Sequence, residues 1–192
     1  VGLEDYGKEG SYISRQLSRW TKQYRDSVDE KYSNMEKLIE WLEVNKPDQE
    51  DISIVHGDYR LDNLVFHPTK PKVIAILDWE LSTLGNPLAD FAYHCMPWVI
   101  PGSEDRGLAG LDPVKLNFPA KEEYTQRYFN NTGRSMIENW NYYMAFSFFR
   151  VAGISFGIKG RVRDGTAVSE RAKVSASFAE PLADFGYMQT KK

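Results

Sequence analysis

The sequence predicts an α+β fold, mostly helical, with one short β-hairpin near its middle. Three observations carry this. Apolar residues recur at helical spacing through most of the chain, three brief β-prone runs crowd into residues 52–77, and residues 139–160 are apolar nearly all round, as a buried helix is.

The elements follow in order. Ile13, Leu17, Trp20 and Tyr24 mark a helix over residues 11–26 with Ser11 as its N-cap; the other side carries Arg15, Arg19, Lys22 and Arg25, which read as a solvated face with an anion-binding role as the minor alternative. Met35, Leu38, Ile39 and Leu42 mark a second helix over 30–45, closed by Pro47. Ile52-Ser53-Ile54-Val55, Leu64-Val65-Phe66 and Val73-Ile74-Ala75-Ile76-Leu77 are β-prone, and His67-Pro68-Thr69-Lys70-Pro71 supplies the turn between the last two. Asn86-Pro87 opens a helix with Leu88, Phe91, Ala92 and Cys95 inward and Pro97 at its end. Residues 97–117 hold prolines and glycines without a period and read as a long loop, with Trp98 a pocket candidate. A helix over 119–130 leaves through Thr132-Gly133. In the buried helix that follows, Gly153, Gly157 and Gly160 permit close packing rather than phosphate binding, since no strand precedes them. A last helix over 168–187 is expected to kink at Pro181.

A chain of 192 residues buries roughly 70% of the surface it exposes unfolded, enough for one domain without disulfides. Its single cysteine, Cys95, excludes an internal disulfide framework and a Cys-based zinc site, and points to an intracellular, reducing compartment. With 24 Lys+Arg against 27 Asp+Glu the net charge is -3, so nucleic acid is not an expected partner. The longest apolar stretch, residues 142–158, is interrupted by Arg150 and short for a bilayer, so no membrane span is expected. The chain opens on Val1, and Val1–Gly10 has neither the basic start nor the apolar core of a signal peptide, so it reads as a fragment.

Chemistry concentrates in Val55-His56-Gly57-Asp58-Tyr59-Arg60-Leu61-Asp62-Asn63, a His-x-Asp-x-x-x-x-Asn pattern between two strands, with Asp78-Trp79-Glu80 at the far end of the hairpin. Phosphoryl transfer needs these parts. A carboxylate must accept the proton of an attacking hydroxyl, a role open to Asp58, and hard oxygen ligands must hold Mg²⁺ against nucleotide phosphates, a role open to Asn63 and Asp78. A hairpin returns Asp78 to the neighbourhood of Asn63.

The runs His56-Gly57-Asp58-Tyr59-Arg60-Leu61-Asp62-Asn63, Ile76-Leu77-Asp78-Trp79-Glu80 and Gly85-Asn86-Pro87-Leu88-Ala89-Asp90 resemble the aminoglycoside phosphotransferase and choline-kinase-like superfamily. Arg19-Trp20-Thr21-Lys22-Gln23-Tyr24 and Asp78-Trp79-Glu80-Leu81-Ser82-Thr83-Leu84-Gly85 look most like the kinase-like domain of acyl-CoA dehydrogenase family members ten and eleven and stand-alone bacterial relatives. The resemblance covers essentially the whole chain and implies a protein-kinase-like C-terminal lobe. Residues 1–47 are then its leading helices, 48–96 the catalytic loop, hairpin and following helix, and 97–192 a helical substrate-side part, with the N-terminal nucleotide lobe absent. It further implies ATP and Mg²⁺ as cofactors, Asp58 as the catalytic residue, Asn63 and Asp78 as magnesium and nucleotide ligands, Asp90 as a buttress of the loop, His56 as its orienter, and Glu80 as a water-mediated magnesium contact or a local cap. Arg60 stands where relatives often carry a phosphate-contacting lysine; a loop salt bridge to Asp62 is the equal alternative. The implied acceptor is a small-molecule hydroxyl, for which the branch suggests a hydroxyacyl-CoA or similar acid, with a fused or partner acyl-CoA dehydrogenase. The compartment is then cytoplasmic in a bacterium, peroxisomal or mitochondrial in a eukaryote. The isolated lobe is expected to be inactive or very weakly active. The competing reading is a catalytically silent module that binds acyl-CoA or a partner domain; a metal-dependent hydrolase ranks last for want of a histidine-rich ligand set.

Overall fold

The computed structural model describes residues 6–7, 11–48, 51–103, 107–134 and 139–192. The opening stretch read for a targeting signal lies mostly outside them, as do residues 104–106 of the long loop. Ser11 caps helix α1 (Tyr12–Ser27), its hydroxyl accepting the Ser14 N–H at 3.1 Å. Ile13, Leu17 and Tyr24 face inward as the spacing predicts. The basic stripe on the other side divides. Lys22 pairs with Asp26, Arg25 reaches Glu36 of helix α2 (Ser33–Val44) at 2.7 Å, and Arg19 lies over the Trp20 ring at 5.0 Å.

Strand β1 (Ser53–Val55) runs into the loop that holds the His-x-Asp motif, which a 3₁₀ turn (Leu61–Asn63) closes. Strands β2 (Leu64–Phe66) and β3 (Val73–Ile76) then form the expected hairpin, antiparallel with Leu64 opposite Ile76. A strand absent from the sequence reading, β4 (Thr83–Gly85), pairs antiparallel with β1, Ile54 opposite Leu84. Three residues show no period, and their partner lies beyond the whole hairpin, so only the tertiary fold could reveal it.

Helix α3 (Pro87–His94) starts as predicted, with the Asn86 side chain accepting the Leu88 N–H at 2.9 Å and proline in the first turn. Pro97 does not end it; the helix stops at His94, and Pro97 sits inside the 3₁₀ turn that follows (Met96–Trp98). The long loop contains a single-turn helix α4 (Pro113–Leu116), capped by Asp112. Helix α5 (Lys121–Thr132) exits at Gly133, whose φ of 66° is left-handed. Helix α6 (Trp140–Arg163) is the centre of the molecule. The expected last helix is two, α7 (Glu170–Ser177) and α8 (Ala179–Gln189), and the break falls at Phe178 rather than Pro181. Pro181 lies in the first turn of α8, where its missing N–H has no helical acceptor to lose.

The all-round apolarity of α6 is explained by its neighbours: α1, α3, α7 and α8 all pack on it. The close packing expected at its glycines is made against α1. A Cβ at Gly160 meets the Ser27 carbonyl oxygen at 2.8 Å, whereas one at Gly157 meets the mobile end of Gln23 at 2.6 Å. Gly160→Ala therefore displaces backbone, at about 1–3 kcal/mol, against about 1 kcal/mol gained in helix propensity. Thermal unfolding should show a lowered midpoint for Gly160→Ala and little change for Gly157→Ala, in which the glutamine swings aside and loss of its bond to the Gly153 carbonyl offsets the propensity gain.

Candidate active site

The His-x-Asp loop is suspended between β1 and the helical body. Asp90, in the first turn of α3, accepts the His56 N–H at 2.7 Å through Oδ2 and the Gly57 N–H at 3.0 Å through Oδ1. Burial pushes the Asp90 carboxyl above its usual range, against these N–H donors and the Arg150 charge, which hold it down. Gly57 has φ 83°, and a Cβ there would lie 2.5 Å from the Leu81 carbonyl oxygen, so the position requires glycine.

The buried His56 ring joins the loop to the hairpin. Its Nδ1 accepts the Asp58 N–H at 3.2 Å, which leaves Nε2–H to donate to the Leu77 carbonyl at 2.7 Å. Leu77 in turn donates its N–H to the Asn63 carbonyl at 2.8 Å, the rung just before Asp78. The hairpin thereby returns Asp78 beside Asn63.

Asp58 is half-buried. The Asn63 amide donates to its backbone carbonyl at 2.8 Å and to its carboxylate Oδ2 at 3.0 Å. The other carboxylate oxygen, Oδ1, accepts the Tyr93 hydroxyl at 2.6 Å. Arg60 stands between two acids, 3.2 Å from Asp62 and 3.7 Å from Asp58, so the loop ion pair with Asp62 is present and the guanidinium also faces the carboxylate of Asp58. Asp78 is exposed, held in the left-handed region at φ 67°, and its carboxylate has no hydrogen-bond or ion-pair partner among the described residues. Glu80 is exposed in the next 3₁₀ turn (Trp79–Leu81), without a partner among the described residues.

Tyr93 was not anticipated. It lies one turn beyond Asp90 on the same face of α3, and that i, i+3 spacing was the signal available. His94 and Cys95 behave as the core residues expected of them: both are buried, and His94 Nε2 lies 2.8 Å from the Tyr124 hydroxyl. Trp98 turns away from the site to donate to the Pro119 carbonyl at 3.1 Å.

Asp58 forms part of the wall of a cleft of about 380 Å³ between α1 and α6, where, among the described residues, Arg19, Arg60 and Arg150 meet a single acid, Asp58 itself. Arg60, Tyr93, Val151 and Ser155 are shared with an adjoining cavity of about 450 Å³ whose walls include Met96, Ile100, Phe178 and Leu182. A cationic cleft thus opens into an apolar one.

Hard oxygens at Asn63 and Asp78 are the set that could hold a magnesium ion. Because the Asn63 nitrogen donates to Asp58, its Oδ1 is the atom left to coordinate. Among the described residues no cluster of three or more His, Cys, Asp or Glu could hold a metal by itself. If Asp90 is the anchor of the loop, Asp90→Asn turns an amide toward an N–H and strands a buried donor, at about 1–3 kcal/mol. Calorimetric melting should fall by roughly 2–4 °C per kcal/mol, while Glu80→Gln melts as the parent does.

The family model described as the phosphotransferase enzyme family matches residues 1–114. Acyl-CoA dehydrogenase family member 10 of Mus musculus is 48% identical over 189 residues, 97% of this chain and 18% of that protein. Member 11 of Homo sapiens is 39% identical over 192 residues, 99% of this chain and 25% of that protein. The chain therefore spans about a fifth to a quarter of these relatives. A crystal structure from Ralstonia eutropha JMP134, of a protein assigned to the aminoglycoside phosphotransferases, superposes with a TM-score of 0.93 at 52% identity, covering 99% of this chain and 58% of that one. The aminoglycoside phosphotransferase APH(4)-Ia, in a ternary complex with AMP-PNP and hygromycin B, shares the fold at a TM-score of 0.56 and 14% identity, over 93% of this chain and 51% of that one. The helical lobe with its short hairpin is thus the kinase-like one that the family resemblance of its motifs implied, and the chain belongs to the phosphotransferase enzyme family.

Proposed function

We propose that this chain is the acceptor-side lobe of an ATP- and Mg²⁺-dependent O-phosphotransferase in which Asp58 is the general base. The observation that carries this is the Asn63 side chain, whose amide locks the Asp58 carboxylate while its Oδ1 is left for a cation. Magnesium, when bound with the nucleotide, offsets phosphate charge and aligns the group to be transferred. The chain's own residues do the rest. Asp58 takes the proton of the acceptor hydroxyl as its oxygen bonds to phosphorus and the bond to the ADP oxygen breaks. Arg60, drawn toward Asp58, is placed to offset charge on the phosphoryl oxygens. Asn63 and Asp78 hold the cation. In this reading the exposed Ile74, Ile76 and Leu77 of the hairpin, with Trp79 of the turn after it, suit a face covered by a nucleotide lobe.

The cleft favours an acceptor that is anionic at one end and apolar along its length. Among the described residues three arginines stand against one carboxylate, a balance that opposes a polycationic aminoglycoside, and the adjoining apolar cavity accepts a hydrocarbon chain. A hydroxyacyl-CoA meets both conditions, and the relatives named for acyl-CoA dehydrogenases accord with it. The test is phosphate transfer from [γ-³²P]ATP by the full-length protein to positional isomers of hydroxyhexanoyl-CoA, with hygromycin B as the contrasting acceptor. Transfer to a thioester and not to hygromycin B is expected; the reverse overturns the acceptor assignment. Asp58→Asn should abolish transfer while a Mg²⁺-dependent thermal shift with ATP persists, and transfer retained in that variant would falsify the base. Arg60→Ala should lower turnover by about tenfold to a hundredfold if it faces phosphate; an unchanged turnover number with a lower melting point assigns it to the Asp62 ion pair alone.

A further inference from the structure

We propose that Tyr93 is a positioning residue for the base, and that α3 thereby holds both the backbone and the reactive side chain of the loop. The inference rests on the reading of Asp58 as base. Asp90 grips the N–H groups of residues 56 and 57, and one turn on, Tyr93 donates its hydroxyl to Asp58 Oδ1 at 2.6 Å. A donor this close to a carboxylate makes a charge-assisted bond, about twice as strong as a neutral one. Asn63 holds Oδ2 at 3.0 Å. Each carboxylate oxygen has two lone-pair sites, so both tethers can persist while one site receives the acceptor's proton. Without the hydroxyl, the terminal torsion of an aspartate is broad and the carboxylate is free to turn.

The phenol is built to stay a donor. Burial, and then the bond to Asp58, push it up to about 12. The ring is fixed as well: the buried Arg150 guanidinium lies 4.7 Å from its centroid, and Arg150 itself reaches the Tyr12 hydroxyl at 3.5 Å. Tyr93 also forms wall in both cavities and its hydroxyl lies beside Arg60, so packing and the Arg60 contact are the alternative explanations for it, and the Asp58 resonance is what tells them apart. Phenylalanine would satisfy packing and fail the hydrogen bond, which makes Tyr93→Phe the deciding variant.

Two readouts test this in the full-length protein. With MgATP and hydroxyhexanoyl-CoA, Tyr93→Phe should lower kcat by about tenfold to a hundredfold, as expected of a misaligned reacting group, with KM for MgATP within twofold of the parent. The second readout needs no turnover. In protein labelled with [γ-¹³C]aspartate, the Asp58 carboxylate resonance, assigned by its loss in Asp58→Asn, should move in Tyr93→Phe and stay put in Tyr32→Phe, whose hydroxyl serves Asp184 instead. Should Tyr93→Phe fail to fold, 3-fluorotyrosine at position 93 keeps the ring and strengthens the donor, and the same resonance should move the opposite way. An unmoved resonance, or a kcat equal to the parent's, overturns the role of Tyr93. Absence of transfer by the parent to any acceptor, with the resonance still responding, instead overturns the proposed reaction and leaves the Tyr93 contact standing.

Discussion

The carboxylate of Asp90 is the constraint on which the rest of the site depends. A tight loop between a three-residue strand and a hairpin has few ladder hydrogen bonds of its own, and two of its N–H groups would otherwise be buried without acceptors. Asp90 satisfies both from the first turn of a helix whose other side is packed on α6. The loop therefore inherits the rigidity of the core. The cost is electrostatic: a carboxyl this buried is pushed up by desolvation, and the Arg150 charge and the two N–H donors offset only part of it.

From that anchor the geometry propagates through single, directional contacts. The His56 ring reads the position of the Asp58 N–H with one nitrogen and the end of β3 with the other, so loop and hairpin cannot move independently. The left-handed turns at Gly57 and Asp78 lie where this ring brings the two segments together, and each lets the chain reverse without lengthening either segment. Asp78, like Glu80 after it, is left exposed and without a partner among the described residues, while Asp58 is tethered at both oxygens. Two carboxylates of the same loop region are thus prepared for different work, one facing solvent and one fixed in the cleft wall.

The cleft adds a second physical layer. α6 contributes Arg150 and α1 contributes Arg19 to a surface that also contains Asp58, and the apolar walls next to it come from α8 and the turn after α3. Neither helix reveals this alone. The basic stripe of α1 was legible as a stripe, yet Lys22 and Arg25 are consumed by ion pairs on one side while Arg19 turns toward the cleft, and that division depends on where α2 and α6 lie.

What the sequence determined by itself was whatever rests on neighbours along the chain: the caps at Ser11 and Asn86, the glycine spacing of α6, the hairpin, and the motif that places Asp58, Asn63 and Asp78 within one short segment. These are local because hydrogen-bond reach, helical pitch and turn chemistry are set within a few residues. What only the tertiary structure decided was whatever joins distant segments: the pairing of β4 with β1, the break at Phe178 that leaves Pro181 harmless, and the Tyr93 hydroxyl on Asp58. Burial and packing choose among such partners, and no local propensity encodes which of several tyrosines will end within hydrogen-bond reach of a carboxylate.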